Sequence, residues 1–411
     1  MAPEHGYAAS ADSPGPPPPH VPGGSDVSAH AVAERWALPG LPESASRQLA
    51  DPRSLDESGV YARTIENFIG TVRVPVGLAG PLRVTGRHAR GDYYIPLATT
   101  EATLVASYSR GAQLLTDAGG CSSVVLAEGV SRTPAFAFDT ILDAARFAEW
   151  CSRSVDAMRE TARATTRYGS LMSAQPVIEG NHVYLVLVLQ TADASGQNMA
   201  TIAADAICRD IAARSPVCVR RWFVEANLSG DKKATMQSLA GVRGRRVSAE
   251  VVLGAGLIER RLHTTADVLL DYWRASIVGG VMSGSVGVQG HYANGLAAMF
   301  IACGQDVACV AEAAVGVTRF EPAGDGGLYA SVTLPNLIVG TVGGGTGLPS
   351  QRACLDIMRV AGQGQARAFA EIVAAVALAG ELSITGALAA GHFTRAHQDL
   401  ARGVAADGST R

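Results

Sequence analysis

Residues 171–190 read LMSAQPVIEGNHVYLVLVLQ: two strand-like runs, 171–178 and 183–190, on either side of Glu179-Gly180-Asn181. Two short strand-like runs flanking a Glu-Gly-Asn turn are the signature of a β-hairpin. Ahead of the hairpin, residues 141–163 carry helical spacing. Behind it, Met199, Ile202, Ala206, Ile207 and Ile211 mark a second helix, and residues 217–224 form a further strand. Helix, hairpin, helix and strand describe a small α+β unit of split-βαβ type. Its surroundings differ in kind, with long Ala-rich helices at 264–280, 291–303 and 365–397. The expected fold class is therefore α+β, with the small unit (133–224) inserted between two halves (31–132 and 225–411) of a larger helix-rich domain. No internal repeat is visible, which argues against a solenoid.

The 411 residues are 47% hydrophobic and 17% charged, with 46 glycines and a net charge of −3. A chain of that length and composition holds two or three domains and is not globally disordered. Its charge offers no basic field for nucleic acid. Residues 1–30 are rich in Pro, Gly, Ser and Ala and read as a disordered tail. No apolar run approaches the ~18–20 residues of a membrane helix, so no span is expected. The N-terminus has neither a basic nor an apolar signal region, and the seven cysteines are scattered with no CxxC pair. Neither a disulfide framework nor a zinc knuckle is indicated, and the reducing cytoplasm is the expected location.

Several local patterns invite a chemical reading. Gly254-Ala255-Gly256-Leu257-Ile258-Glu259 imitates a dinucleotide fingerprint, but its third glycine is Glu259, a carboxylate where pyrophosphate needs a close helix N-terminus. It reads as an ordinary strand-to-helix turn. Residues 340–347 (GTVGGGTG) hold five glycines in eight positions. Such a loop lets backbone N–H groups approach a ligand, the alternative being a flexible surface loop. His392 and His397 are five residues apart, about 140° around a helix, so they are poor co-ligands and no metal site is expected. Glu101 opens a helical run, where a carboxylate is ordinarily just favourable to the helix dipole. Asp231-Lys232-Lys233 with Arg243, Arg245 and Arg246 places five cations in fifteen residues. That is enough for a phosphate-bearing ligand and equally compatible with a solvated turn.

Taken together, these segments resemble the 3-hydroxy-3-methylglutaryl-CoA (HMG-CoA) reductase family, from residue 60 to residue 402. The resemblance is carried by Glu66-Asn67-Phe68-Ile69-Gly70, Pro75 through Leu82, Ala98-Thr99-Thr100-Glu101, Asp231-Lys232-Lys233, Cys303-Gly304-Gln305-Asp306, residues 340–346, Gly380-Glu381-Leu382, and Gly391-His392 with His397. It implies a soluble prokaryotic form. A large domain would bind acyl-CoA, an inserted ferredoxin-like domain would bind the nicotinamide cofactor, and the active site would lie between subunits of a homodimer or larger homo-oligomer. The implied reaction is the NADPH-dependent four-electron reduction of HMG-CoA to mevalonate and CoA.

Carried over position by position, the family's catalytic set falls on Glu101, Lys232, Asp306 and His397. Lys232 would stabilise the developing oxyanion. Asp306 would sit beside Lys232 and tune both it and Glu101. Glu101 would donate a proton to the carbonyl oxygen, for which a buried place near a carboxylate is expected, and His397 would protonate the departing thiolate. Cofactor contacts fall on Arg167, Tyr168, Asp193, Asn198, Gly343 and Gly344, with the Arg167 guanidinium favouring NADPH over NADH. Substrate contacts fall on Arg132 (near the CoA phosphates), Lys233 and Asn294. Departures cluster around the acyl pocket. Glu225 stands where a small serine is usual, Ala102 replaces a glycine, and residues 234–237 differ. A carboxylate close to the substrate's own carboxylate is costly when desolvated. On that ground, a reductase of a different acyl-CoA and a non-catalytic acyl-CoA-binding homologue are the alternatives.

Overall fold

The structure is a computed structural model that describes residues 19–240 and 243–391. Two compact units are present, one ending at Arg73 and the other beginning at Val74. The first contains helices α1 (Ala29–Trp36), α2 (Glu43–Leu49) and α3 (Pro52–Asp56). Its small core is Val27, Val32 and Phe68. Arg35, 2% exposed, donates to the carbonyls of Pro22, Asp26 and Phe68 at 2.9–3.1 Å. Residues 22–30, expected within the disordered tail, are therefore clamped by one buried guanidinium, because their free carbonyls are the acceptors it needs.

The second unit opens with a hairpin of β1 (Val76–Thr85) and β2 (Arg90–Ala98), followed by α4 (Leu104–Asp117) and β3 (Ser122–Arg132). Then come β4 (Ala135–Ala137), α5 (Ile141–Arg153), α6 (Val155–Thr165), β5 (Ser170–Glu179), β6 (His182–Gln190), α7 (Gln197–Arg214) and β7 (Arg221–Phe223). In β6 the alternation is complete: Val183, Leu185, Leu187 and Leu189 are all 0% exposed. Ala200, Ala203, Ala204 and Ile207 of α7 belong to the same cluster, as do Phe136, Phe147 and Met158. β5 and β6 pair from Ser170 with Gln190 to Glu179 with His182, leaving Gly180-Asn181 as a two-residue turn with Gly180 at φ +54°. The helical run expected at 141–163 is two helices broken at Ser154. The strand expected at 217–224 shortens to three residues.

The chain continues through α8 (Gln237–Ala240), β8 (Gly244–Leu253), α9 (Ala255–Leu262), α10 (Ala266–Ser283), β9 (Gly287–Val288), α11 (Tyr292–Ala302) and α12 (Val310–Ala313). It ends in β10 (Gly316–Ala323), β11 (Gly327–Leu337), α13 (Pro349–Ile357) and α14 (Ala366–Ala389). β8 lies antiparallel to both β3 and β11, so the Gly254 turn does not open a parallel crossover, and the dinucleotide reading fails on topology too.

β3 belongs to two sheet regions: residues up to Gly129 pair with β8, and Val130 to Arg132 pair with β6. The two hydrophobic clusters divide at that strand. One runs from Val130 to Ile211, and the other gathers β1, β2, α4 and the elements from β8 to α14. α14 lies against β3, β8, β11 and α4. By length and composition it could cross a bilayer, contrary to the expectation that no segment would, yet 78% of its most apolar window is buried in the fold. That is the behaviour of a core helix. Where α4 meets α14 the backbones nearly touch: a Cβ on Gly111 would lie 1.9 Å from the Ala379 carbonyl oxygen.

Candidate active site

Lys232 sits in the loop between β7 and α8 with its backbone in the left-handed region, φ +56°. The loop is held open at its base by Glu225. One carboxylate oxygen accepts from the N–H groups of Ala226 and Asn227, the other from Thr133 N, Ser229 Oγ and Arg132. Arg132, only 8% exposed, also pairs with Asp231 at 3.0 Å, and Arg243 grips the other Asp231 oxygen. The Lys232 N–H donates to Glu312 Oε1 at 3.2 Å. Its side chain is thereby aimed at Asp306, with Nζ 2.9 Å from Oδ2.

Asp306 opens a single turn through Cys309, and its Oδ1 accepts from the Ala308 N–H. Oδ2 is shared between Lys232 and the Gln197 side-chain amide. Burial pushes the Asp306 carboxyl up, but the hydrogen bond and charge of Lys232, helped by Gln197 and the Ala308 N–H, hold it below the ordinary value. The Asp306 hydrogen bond, with its charge in support, raises Lys232 against partial burial. Behind them Glu312, 1% exposed, is pushed up to about 7 by burial, although Arg243 and the Lys232 N–H favour its ionised form.

Three recognised segments converge here through glycines. Gly304 (φ +65°) leaves no room for a Cβ, which would lie 2.3 Å from Gly345 O. A Cβ on Gly340 would likewise lie 2.5 Å from Ser195 N, and Gln305 exchanges hydrogen bonds with the Gly340 backbone. Those glycines serve packing. Gly343 and Gly344 differ, being exposed at positive φ with open space where a Cβ would stand.

A second centre forms around Glu101. Its carboxylate accepts from Asn294 Nδ2 at 3.4 Å beside a cavity of about 310 Å³, which Ser107, Tyr108, His291 and Ile384 also line. Buried Glu381 shapes this wall by accepting from the N–H groups of Gly290 and His291 and from Thr318 Oγ1. Burial raises the Tyr108 phenol, so it remains neutral beside His291 Nδ1 at 3.3 Å.

Several sequence expectations change. Glu101 is exposed rather than buried, and among the described residues no hydrogen bond or ion pair joins it to Lys232 or Asp306. Arg132, expected near CoA phosphates, faces inward onto Glu225 and Asp231 because both carboxylates need a buried counter-charge. Of the five cations read as a phosphate patch, Arg243 and Arg245 are 3% and 4% exposed and paired with carboxylates. Glu225 is no bare charge in a pocket, since its oxygens are fully engaged, and the case it made for another acyl-CoA falls. Asp193, expected at the cofactor, accepts from Gly364 N and Ala366 N and so caps α14. Lys233 is exposed, with Nζ 3.0 Å from Asp231 O. Arg167, Tyr168 and Asn198 are exposed, the last in the first turn of α7. His392 and His397 lie outside the described residues. The sequence reading missed Glu312 and Arg243 as supports of Lys232, and no local motif marks either.

The family pattern of hydroxymethylglutaryl-coenzyme A reductase matches residues 31–402. A 3-hydroxy-3-methylglutaryl-coenzyme A reductase of Methanothermobacter thermautotrophicus is 43% identical over 85% of this chain and 88% of its own length. The protein of that name from Haloferax volcanii is 40% identical over 92% of this chain and 95% of its own. Among solved structures, a class II 3-hydroxy-3-methylglutaryl-CoA reductase from Streptococcus pneumoniae, bound to NADPH in open conformations, aligns with TM-score 0.64. It covers 84% of this chain and 95% of that one at 20% identity, a likeness of fold. With its pattern matched across that span and relatives at that identity, the chain belongs to the hydroxymethylglutaryl-coenzyme A reductase family.

Proposed function

We propose that the protein reduces HMG-CoA to mevalonate and CoA at the expense of two NADPH. The observation that carries this reading is the 2.9 Å pair of Lys232 and Asp306 on a loop whose backbone is held from below. Lys232 keeps its side chain 44% exposed, which leaves a fixed ammonium able to meet an oxyanion. When bound, the reduced nicotinamide supplies hydride twice, first to the thioester carbon and then to the aldehyde carbon. At each addition Lys232 steadies the negative oxygen, and we assign Glu101 to protonate it. Between the two additions the C–S bond breaks as the hydroxyl proton returns to Glu101 and the carbonyl re-forms, and we assign His397 to give the CoA sulfur its proton.

We assign the module 133–224 to the cofactor and read its hairpin, its helices α5 to α7 and β7 as a ferredoxin-like unit. The larger domain, 31–132 and 225–411, takes the acyl-CoA. The residues present fit a dinucleotide. Arg167 and Tyr168 are exposed for the 2′-phosphate end. The start of α7 has no side-chain cap, and Asn198 stands in its first turn. Gly343 and Gly344 leave open backbone for a close approach. Asp193 we place as a support at the start of α14, and Lys233 and Asn294 with the substrate. Arg132 supports the Lys232 loop.

A second copy of the chain is the partner we propose. Two centres within one chain, one at Glu101 and one at Lys232, call for a surface that joins them. Val278, Val281 and Met282 of α10 are 59%, 75% and 83% exposed, an apolar face suited to such a contact. All seven cysteines are free, in keeping with a reducing cytoplasm. The test is spectrophotometric: HMG-CoA must drive oxidation of two equivalents of NADPH, and no CoA-dependent oxidation by a folded oligomer refutes the reading.

A further inference from the structure

The side chain of Gln197, the first residue of α7, lies between Asp306 of the Lys232/Asp306 pair and Arg243. Nε2 donates to Asp306 Oδ2 at 3.2 Å and stands equally far from Cys309 Sγ, while Oε1 accepts from Arg243 at 3.2 Å. Arg243 in turn holds Asp231, the residue before Lys232. A closed ring results: Lys232, Asp306, Gln197, Arg243, Asp231 and back along the chain to Lys232. We propose that Gln197 is a positioning residue of the reductive site, its amide fixing which way Asp306 presents its carboxylate to Lys232 and tying that pair to the first turn of α7.

Only an amide fits this role. It must give a hydrogen to a carboxylate and accept one from a guanidinium, and a planar –CONH₂ does both from one end group. Asp306 Oδ2 already accepts from Lys232, so the second donor sets the carboxylate's rotation. With Oδ1 taken by the Ala308 N–H, neither oxygen is free to swing. Because Gln197 opens α7, any shift of that helix is felt at Asp306. Charged and titratable groups around Asp306 are Lys232 and Asp231 on the loop, Arg243 before β8, Cys309 at the end of its own turn and Glu312 beyond it.

The proposal rests on the reductase reading, and the test separates the two. Wild type, Gln197→Met and Gln197→Glu are compared for kcat and KM with HMG-CoA and NADPH across pH. Methionine keeps the length and helix preference and loses both hydrogen bonds. Glutamate keeps the acceptor for Arg243 and sets a like charge against Asp306. The ionised Asp306 is the active form, so activity falls as pH drops through its pKa, and loss of the amide donor moves that acid limb upward. We expect the limb to lie higher in Gln197→Met and higher still in Gln197→Glu, with KM for NADPH changed less than about threefold. The displacement must persist in a Glu312→Gln background, which removes the other carboxyl that titrates nearby.

A purely structural role gives the opposite order: glutamate, paired with Arg243, restores what methionine loses, and neither variant moves the limb. That result, or an unmoved limb in both, overturns the proposal. If the methionine variant does not fold, the glutamate variant alone decides, since Arg243 keeps its partner. A wild-type protein with no turnover refutes the reductase reading, and the role of Gln197 falls with it. An active wild type with unmoved variants refutes only the latter.

Discussion

Gly111→Ala tests whether the site depends on how closely two helices meet. On helix propensity alone the change is favourable by about 1 kcal/mol, since glycine in a helix interior is the costlier residue. Geometry opposes it. The new methyl would stand 1.9 Å from Ala379 O and 2.5 Å from its carbonyl carbon, both backbone atoms of α14 that cannot rotate away. A normal C···O contact is about 3.3 Å, so α4 and α14 must part by more than about 1 Å. Overpacking of that kind costs about 1–3 kcal/mol, and separation also loosens contacts along both helices. The gap is not easily spread elsewhere, because a Cβ on Gly380 would already lie 2.5 Å from the Tyr108 ring. We expect a net loss of about 2 kcal/mol, read as a thermal midpoint about 4–8 °C lower. Midpoints are the right comparison, since a chain with three separate cores need not unfold in one step. Turnover falls as well, because Leu104 near the start of α4 and Ile384 near the end of α14 line the cavity beside Glu101. A midpoint equal to or above that of wild type refutes the reasoning and shows that propensity outweighs the contact.

Glu312, raised from 4.5 to about 7, binds its proton more tightly in the folded chain. Folding stability should therefore decline as pH rises through that window, by up to about 3 kcal/mol, and Glu312→Gln should remove this part of the slope in denaturant titrations. Coincident slopes for the two proteins would count against it. Lys232→Met should lower kcat about 10²–10³-fold while circular dichroism stays unchanged, and retention of kcat would remove Lys232 from the chemistry. Glu225→Ser should cost about 2 kcal/mol, since Arg132 and three backbone donors lose their acceptor. An unchanged melting curve would contradict that support. Arg167→Ala should raise KM for NADPH roughly tenfold and leave that for NADH alone. Equal effects on both cofactors would place Arg167 away from the 2′-phosphate.

Local patterning made much of this fold legible. The β6 alternation and its Gly-Asn turn specify a hairpin buried on one face, because a one-residue slip would expose four aliphatic side chains. The family resemblance, not spacing, set Asp306 beside Lys232, and the two pair at 2.9 Å. What escaped is long-range pairing among charges. Arg132, Arg243 and Arg245 look like solvent-facing cations in the chain, and only their distant partners Glu225, Asp231, Glu312 and Glu128 turn them inward. Glycines misled in the same way: Gly340 and Gly304 are demanded by neighbouring backbone rather than by a ligand. The break at Ser154 also had no warning, since apolar spacing continues across it.

The chain leaves the larger core at the end of β3 and returns to it at Ala226, and those two points are stitched together. The Ala226 N–H donates to Thr133 O at 3.1 Å, and Glu225 binds both Thr133 N and Arg132. The cluster from Val130 to Ile211 therefore hangs on two ends that already meet. Its closure adds little to the entropy that the larger core must lose on folding. Asp193 on the Gly364 N–H, Gln197 on Asp306 and Arg245 on the Ala192 carbonyl also join the two clusters, so their protection in hydrogen exchange should fall together rather than split at Val130. Glu225 is one tie among these, and cutting it alone should leave the two cores exchanging together.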